Sequence, residues 1–265
     1  RGYDIHRSKR RLLGSGRLSW TRYALGQKRL AQEGDLFLAV SDALRARAIE
    51  AGFPAELVLT HYNGVDLARF AAAHEDDGET ILHVGRLVEK KGTALLLRAF
   101  AQAGRGKLVV IGDGPLRGSL ERLAGALGLG GSVRFLGRQP PAAVGLWMQR
   151  AAVLAVPSLT AKDGDAEGLP NVVVEAAASA LPVVGSRHEG ITEAILDGAS
   201  GYIVPEGEVA PLAARLAELL ADADLRRRMG GAARALAEAK FDSTRQMRLL
   251  EERYDALTSS KAIET

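Results

Sequence analysis

The chain has 265 residues, 47% hydrophobic and 25% charged, and these ordinary globular values exclude a chain that is disordered throughout. Cysteine is absent, which excludes a disulfide framework and any zinc or iron–sulfur site with thiolate ligands. The formal net charge of +3 is unevenly spread, because residues 1–30 carry nine Lys or Arg and a single acid, Asp4. The rest of the chain is mildly acidic, and we therefore expect no nucleic-acid partner.

The basic N-terminal segment, residues 7–29, has more than one interpretation from its charge alone. It is compatible with peripheral contact with an anionic membrane or with a phosphorylated acceptor, and equally with a solvated helix face and loop. No apolar run in the sequence approaches the roughly 18 residues of a membrane span. Since the chain does not begin with Met, we expect a fragment or a processed product.

The N-terminal part of the chain predicts only a few elements, too few for a complete domain. Apolar spacing predicts a helix over 18–32 and a strand over 36–40. Ser41 is a typical helix N-cap and predicts a second helix, which a short strand around Val58 follows. The polar stretch 71–79 is rich in turn-forming residues and predicts a linker.

From Thr80 onward, short β-branched runs alternate with longer amphipathic segments, which is typical of strands and helices wound into a parallel sheet. The predicted strands span residues 81–84, 108–111, 133–136, 153–156, 182–184 and 202–204. The predicted helices span residues 92–103, 115–127, 141–150, 170–180, 191–196, 211–220, 224–239 and 241–257. The sequence therefore predicts an α/β fold in which one complete open domain follows a partial one.

Residues that follow the strands are candidates for ligand contact, because open parallel sheets bind ligands at the carboxyl ends of their strands. Gly85 follows the first of these strands, and Arg86 and Lys91 flank the turn into the next helix. Two cations at a helix entry suit a diphosphate, since a guanidinium binds two oxygens at once and an ammonium adds a flexible charge. The alternative is a pair of surface bases near Glu89.

Two further turns after strands contain glycine. Gly114 would let a ligand approach the backbone, but the pattern is an incomplete dinucleotide fingerprint, because Arg117 stands where a third glycine is expected. A nicotinamide-dependent oxidoreductase rests on this incomplete pattern alone. Gly137 and Arg138 follow another strand, where backbone groups and a stacked guanidinium suit a nucleotide base. A tight turn and a plain loop are the alternatives.

The strongest candidate site is a polar loop that runs into an almost wholly apolar helix, AKDGDAEGLPNVVVEA. The start of such a helix presents free N–H groups and a positive dipole end to an anion. Glu175 is unusual among Ala and Val, since a buried carboxylate needs a partner, either sugar hydroxyls or a structural Arg. Glu167 and Glu175 would lie roughly 12 Å apart along a helix, beyond the ~5 to 10 Å of a glycosidase pair, which suits an extended ligand.

Taken together, GRLVEKKG, GDGPL, FLG, HYNGVD and above all EGLPNVVVEA resemble retaining glycosyltransferases of family 4, which have two facing Rossmann-like domains, the GT-B type. The resemblance runs from about residue 35 to 257, and the chain is similar to bacterial enzymes that build exopolysaccharide, colanic acid or lipopolysaccharide. It implies a remnant of the acceptor-side domain over 1–70, a linker over 71–79, a donor-binding domain over 80–240, and a helix over 241–265 that crosses back to the first domain.

The resemblance also implies a role for each matching residue. Arg86 and Lys91 would neutralise the donor diphosphate in place of a metal, Glu167 would hold the donor sugar, and these three are the catalytic candidates. Glu175 would accept the ribose hydroxyls. The remaining donor-binding candidates are Gly85, Gly114, Gly137, Arg138, Asp165, Gly168, Leu169, Pro170 and Asn171.

The implied activity is transfer of a hexose, with retention, from a UDP- or GDP-sugar to a glycan or lipid-linked acceptor in cell-surface polysaccharide synthesis, without a metal or other cofactor. The implied place is the cytoplasm, or the inner face of the plasma membrane. Family members extend further at the N-terminus, so we expect a truncated chain, with Arg1 where the family has His. The alternative is a non-catalytic sugar-nucleotide-binding module whose partner supplies the acceptor side. Single histidines at positions 61, 83 and 188 are expected to be structural.

Overall fold

The computed structural model describes residues 18–70, 75–162 and 164–263. The chain first forms helix α1 (Leu18–Glu33), strand β1 (Phe37–Ala39), helix α2 (Asp42–Glu50) and strand β2 (Val58–Thr60). Residues 7–17 of the basic segment lie outside the described residues, and the membrane contact predicted for it stays a prediction.

The first part of the chain has its own small core. β1 and β2 pair in parallel, and Ala39 and Val58 from these strands pack with Leu44 of α2 and with Phe53. Ser41 caps α2 as predicted, because its side-chain oxygen accepts a hydrogen bond from the Leu44 N–H.

After the linker, all six predicted strands form. They are β3 (Thr80–Val84), β4 (Lys107–Ile111), β5 (Val133–Gly137), β6 (Val153–Val156), β7 (Val183–Ser186) and β8 (Gly201–Val204). The helices are α3 (Thr93–Ala103), α4 (Arg117–Ala126), α5 (Pro141–Arg150), α6 (Asn171–Ala178), α7 (Val209–Ala221), α8 (Ala223–Lys240) and α9 (Ser243–Ile263).

The six strands form one parallel sheet in the order β5-β4-β3-β6-β7-β8. This is the strand order of the Rossmann fold, in which the chain runs outward in one direction from β3 and then in the other from β6. The point where the order reverses lies between β3 and β6. Ligands of such sheets bind outside the carboxyl ends of those two strands.

Helices cover both faces of this sheet, so the strands are buried on both sides. Alternate strand residues belong to two cores: Leu82 and Leu154 pack with α5, α6 and α8, whereas Ile81 and Val153 pack with α3, α4 and α7. Burial on both faces explains why the strands read as continuous apolar runs rather than as alternating patterns. The expected α/β fold is confirmed.

The two parts of the chain meet where α9 begins. Val65 N–H donates to the Phe241 carbonyl at 2.7 Å, and Ser243 N–H donates to the Val65 carbonyl at 3.0 Å. Further along α9, Arg253 donates to the Thr60 carbonyl at 3.0 Å. The last helix thus packs on the first part of the chain, whereas the exact domain boundaries stay predictions.

The helix predicted over 191–196 is wrong. The segment between β7 and β8 instead contains a short 3-10 helix, Glu189–Glu193. Both of its ends are bound to α2: Glu189 pairs with Arg47, and the Glu193 carboxylate accepts from the N–H groups of Asp42 and Ala43 at 2.8 and 3.0 Å. These contacts with α2 hold the segment in a short turn instead of letting it extend as an α-helix.

Close backbone approach at the carboxyl end of β4 requires glycine. Gly112 has φ +135°, and a Cβ atom there would lie 1.8 Å from the Gly85 carbonyl oxygen. The Gly112 N–H in turn donates to the Gly137 carbonyl at 2.8 Å. Gly112 therefore fixes three strand ends relative to one another.

We expect Gly112→Ala to lower the free energy of unfolding by about 2 kcal/mol or more, because it combines a forbidden backbone angle with a clash. Gly125→Ala is the matched control, since Gly125 is exposed in α4 with no atom within 4 Å of its Cβ position. The control should leave stability unchanged or raise it by up to ~1 kcal/mol. Urea unfolding of both variants measures the difference, and equal stabilities would contradict the packing argument.

Candidate functional site

A cleft of about 380 Å³ opens between the carboxyl end of β3 and the start of α6, at the point where the strand order reverses. We call it the first cleft. It is lined by Val84, Gly85, Arg86, Lys91, Glu167, Leu169, Pro170, Asn171 and Val172. The structure therefore brings together seven of the residues that the sequence proposed, from two segments far apart in the chain.

A buried ionic cluster joins the two segments. Lys91 Nζ lies 3.0 Å from Glu167 Oε2, and Lys90 Nζ lies 3.2 Å from both Glu167 Oε1 and Asp165 Oδ1. The Glu167 and Lys91 side chains are only 11% and 14% exposed. The cluster ties the turn after β3 to the loop after β6, and it holds Glu167 at the floor of the first cleft.

The lysines keep Glu167 ionised. Burial alone would raise the pKa of Glu167, but the charges of Lys91 and Lys90 outweigh it and lower the pKa below its ordinary value. Burial lowers the pKa of Lys90, whereas Glu167 and Asp165 raise it and prevail. Arg86 lies exposed at the rim. An anion that enters the first cleft therefore meets Arg86 directly and Lys91 at the side of Glu167.

A second cleft of about 390 Å³ adjoins the first and shares Val84 with it. Its lining comes from both parts of the chain, with Arg69 from the first part and Gln139 and Glu175 from the second. Burial raises the pKa of Glu175, and the charge of Arg69 opposes this only in part. Within the hydrogen bonds described for this structure, the Glu175 carboxylate has no donor, so it is available to a ligand with hydroxyl groups.

An amide pair lies between the two clefts. Asn63 Nδ2 donates to Asn171 Oδ1 at 3.0 Å. Asn171 lines the first cleft, and Gly64, the residue after Asn63, lines the second. The pair joins the first part of the chain to the start of α6, where the free N–H groups of the helix face the first cleft.

Five predicted residues line neither cleft. Gly114 packs on the Leu87 backbone, where a Cβ atom would lie 2.5 Å from the carbonyl oxygen, and Gly168 packs on Leu44. Asp165 is a partner of Lys90, Arg138 is exposed, and Gly137 has φ +69° at the end of β5. The structure explains both Gly114 and Gly168 by packing, and the donor contacts predicted for the five residues stay predictions.

Sequence reasoning missed several residues at the clefts. Lys90 carries no sign that distinguishes it from Lys91, because the two are neighbours in the same turn. Arg69 lies three residues after the motif HYNGVD and Gln139 lies two residues after FLG, but neither residue is among the candidates proposed from the sequence. A search for polar residues within a few positions of each motif would have found them.

Two of the three histidines, His83 and His188, differ in their surroundings. His83 is fully buried below the first cleft, where Nδ1 lies 2.9 Å from the Ala155 carbonyl and Nε2 lies 3.0 Å from the Thr93 hydroxyl. The carbonyl only accepts, so Nδ1 carries the proton and the neutral ring is held at both nitrogens. His188 lies behind Glu167, and its Nε2 accepts from the Glu167 N–H at 3.2 Å. No signal in the sequence marked that contact.

Residues 18–70, 75–162 and 164–263 contain no group of three or more His, Asp or Glu side chains arranged to hold a metal ion. In the same ranges, every helix is too short or too polar to span a bilayer.

Comparison with known proteins agrees with the geometry. Residues 65–236 match the family model described as "Glycosyl transferases group 1", and they include the three catalytic candidates of the first cleft and Glu175 of the second. The chain belongs to this family. The match begins at Val65, whose carbonyl accepts from the Ser243 N–H at the start of α9, and it ends at residue 236, within α8.

Named relatives of this group 1 chain come from bacteria. It is 35% identical over 198 residues to the amylovoran biosynthesis glycosyltransferase AmsK of Erwinia amylovora, which covers 72% of this chain and 49% of the relative. It is 32% identical over 241 residues to the GDP-mannose-dependent α-(1-6)-phosphatidylinositol monomannoside mannosyltransferase of Mycolicibacterium smegmatis, covering 84% and 63%. The chain spans about half the length of the curated relatives it matches first.

A solved structure has the same fold. The crystal structure of Anabaena HepE in complex with UDP-glucose superposes with a TM-score of 0.79 at 25% identity, over 92% of this chain and 70% of that chain. The neighbours are GT-B glycosyltransferases, so the GT-B type expected for this group 1 chain is confirmed.

The buried neutral His83 predicts a pH-dependent stability. Burial and, to a smaller extent, the charge of Lys91 lower the pKa of His83 to about 4. Its contribution is fully present above the unfolded value of about 6.5 and is lost as pH falls towards 4, by roughly 3 kcal/mol in all.

We expect His83→Asn, which keeps a donor for the Ala155 carbonyl, to lose this component. The difference in unfolding free energy between native protein and variant should shrink between pH 7 and about 4. A difference that stays constant over that range would show that His83 does not titrate on unfolding.

Proposed function

We propose that this chain binds a nucleotide-diphosphate hexose across the two clefts and transfers the hexose, with retention, to a glycan or lipid-linked acceptor in cell-surface polysaccharide synthesis. The observation that carries the proposal is the Lys91–Glu167 pair at 3.0 Å in the first cleft, beside the exposed Arg86 and the start of α6. It sets two cations and a fixed carboxylate at the strand ends where such folds bind nucleotides.

The donor diphosphate would lie in the first cleft. Arg86 is able to bind two of its oxygens, Lys91 adds a second positive charge, and the N–H groups at the start of α6 add donors. As the bond between sugar and diphosphate breaks, negative charge grows on the departing nucleotide. These fixed groups would stabilise that charge, which is the task that a metal ion performs in other enzymes.

Glu167 is better suited to binding the donor sugar than to accepting a proton. The two lysines lower its pKa, and a carboxylate of low pKa is a weak general base. It still accepts hydrogen bonds from sugar hydroxyls. We therefore assign Glu167 to the donor sugar. Retention would follow from attack by the acceptor hydroxyl on the face of the leaving diphosphate, whose oxygen would take the hydroxyl proton as the sugar–phosphate bond breaks.

Glu175 would bind the ribose in the second cleft. Its carboxylate is half-buried and has no donor among the described hydrogen bonds, and two neighbouring hydroxyls are the groups that match its two oxygens. Val84 lines both clefts, so the two adjoin, as a ligand with a sugar at each end of a diphosphate requires.

The relatives support the donor class and leave its base open. One relative is named for GDP-mannose, and HepE was crystallised with UDP-glucose. Calorimetric titration of this chain with UDP, GDP, UDP-glucose and GDP-mannose, first without metal and then with Mg²⁺, tests the proposal. Metal-independent binding that prefers one base supports it, and a folded sample that binds none of the four would overturn it.

Turnover distinguishes transfer from binding alone. Slow hydrolysis of a bound donor releases a free hexose, and retention predicts that its first anomer by NMR is the α-anomer of the donor. Binding without hydrolysis or transfer would instead favour the sugar-nucleotide-binding module that depends on a partner.

The two glutamates should affect different ligands. Glu175→Gln should weaken the free nucleotide and the nucleotide sugar alike, by about 10- to 100-fold, because a charge-assisted hydrogen bond contributes ~1.5 to 3 kcal/mol. Glu167→Gln should weaken the nucleotide sugar and spare the free nucleotide. Glu56→Gln, exposed in the loop before β2, is the control. Equal losses for both ligands in both variants would contradict the assignment.

Nucleotide affinity should also depend on pH through Glu175. Its raised pKa means that the carboxylate gains a proton at a higher pH than an ordinary glutamate does, and a protonated group no longer accepts from both ribose hydroxyls. We expect the affinity for the preferred nucleotide to fall as the pH is lowered through the pKa of Glu175, and Glu175→Gln to remove that slope. A slope that persists in the variant would assign the titration to another group.

A further inference from the structure

Three loops at the carboxyl edge of the sheet are joined by a pair of side chains that the proposed mechanism does not use. His188 follows β7, and Glu206 follows β8. His188 Nδ1 lies 2.8 Å from Glu206 Oε2, and the His188 side chain is 3% exposed. We call these two residues the edge dyad.

The hydrogen bonds of the edge dyad fix its tautomer. The Glu167 N–H donates to His188 Nε2 at 3.2 Å, so Nε2 carries no proton. Nδ1 therefore carries it and donates to the Glu206 carboxylate. An imidazole held in this way has one donor and one acceptor in fixed directions, which a hydroxyl or an ammonium does not provide.

Both ends of the loop after β6 are bound to the dyad. Glu206 Oε1 accepts from the Thr160 N–H at 2.6 Å, while His188 accepts from the Glu167 N–H. A second backbone contact follows at once, since the Gly190 N–H donates to the Gly168 carbonyl at 3.1 Å. The main chain at Glu167 is thus held from behind, while the lysines hold its carboxylate from the front.

We propose that His188, set by Glu206, is a positioning residue that fixes the Glu167 main chain and thereby sets the preference of the site for a nucleotide that carries its sugar. The inference rests on the proposed function, because it needs Glu167 to hold the donor sugar. His188 lines neither cleft, so it acts through Glu167 and not by contact with the ligand. In the proposed function the free nucleotide is bound by Arg86, Lys91 and Glu175, and the hydrogen bonds described for His188 involve none of these three side chains.

Two conservative substitutions separate the two nitrogens of His188. His188→Gln places an amide oxygen near the position of Nε2 and keeps an acceptor for the Glu167 N–H. His188→Asn places an amide near the position of Nδ1, so it keeps the donor to Glu206 and loses that acceptor. A role confined to core packing predicts no such difference between the two.

The measured quantity is sugar preference, the dissociation constant of the free nucleotide divided by that of its nucleotide sugar, for whichever of the UDP or GDP pairs binds. We expect His188→Asn to lower this preference about tenfold, with the free-nucleotide constant within about twofold of native. His188→Gln should keep most of the native preference. Equal loss in both variants, or no loss in His188→Asn, would overturn the inference.

A second pair of variants tests the edge dyad without changing His188, because a His188 variant that does not fold would give no answer. Glu206→Gln puts an NH₂ group against either the His188 or the Thr160 donor and should lower sugar preference, whereas Glu208→Gln, exposed two residues later, should not. Equal behaviour of these two would also count against the dyad.

The outcomes separate the two proposals. Native protein that binds no nucleotide refutes the proposed function. Native protein that prefers the nucleotide sugar, with variants that leave the preference intact, refutes the positioning role alone. Native protein that binds the nucleotide without any sugar preference also refutes the positioning role, since Glu167 then holds no sugar.

Discussion

One row of polar contacts runs along the carboxyl edge of the six-stranded sheet, and the candidate site depends on it. The row follows the strand order β3, β6, β7, β8: Lys91 pairs with Glu167, Glu167 N–H bonds to His188, and His188 bonds to Glu206. Parallel strands bring the four loops to one edge, and burial makes an unpaired charge at Glu167 costly. Each member of the row therefore supplies the partner that its neighbour needs, and the carboxylate in the first cleft is fixed from both sides.

This arrangement makes the site self-compensated before any ligand arrives. Lys90 and Lys91 share Glu167 and Asp165, which leaves the exposed Arg86 as the cation at the rim. In the proposed function, a diphosphate would not find bare lysines but would share Lys91 with Glu167. The diphosphate would then compete with Glu167 for Lys91, while Glu167 itself stays in place. The donor sugar would meet a Glu167 carboxylate that is already oriented. Preorganisation of this kind lowers the reorganisation needed on binding.

The sequence predicted the α/β fold and most of the first cleft because the relevant signals are local. Short β-branched runs located the six strands, Pro141 and Ser41 marked helix starts, and Arg86, Lys91 and Glu167 lie in the segments that follow strand ends. What it missed depends on contacts between distant segments. The 3-10 helix at Glu189–Glu193 is held by α2, more than a hundred residues earlier, and His188 has meaning only beside the Glu167 N–H. The sequence around a single histidine or an adjacent pair of lysines does not show which distant residues they contact.

The turn between β7 and β8 contacts two separate parts of the structure. His188 and Gly190 hold the main chain of Glu167 and Gly168, while Glu193, three residues on, caps α2 through the N–H groups of Asp42 and Ala43. The position of the first part of the chain and the orientation of the buried Glu167 carboxylate therefore both depend on this one short segment. Both sets of contacts depend on the number of residues in this segment. If one residue were added or removed between His188 and Glu193, the contacts with Glu167 and those with α2 could not form together, even with every side chain retained.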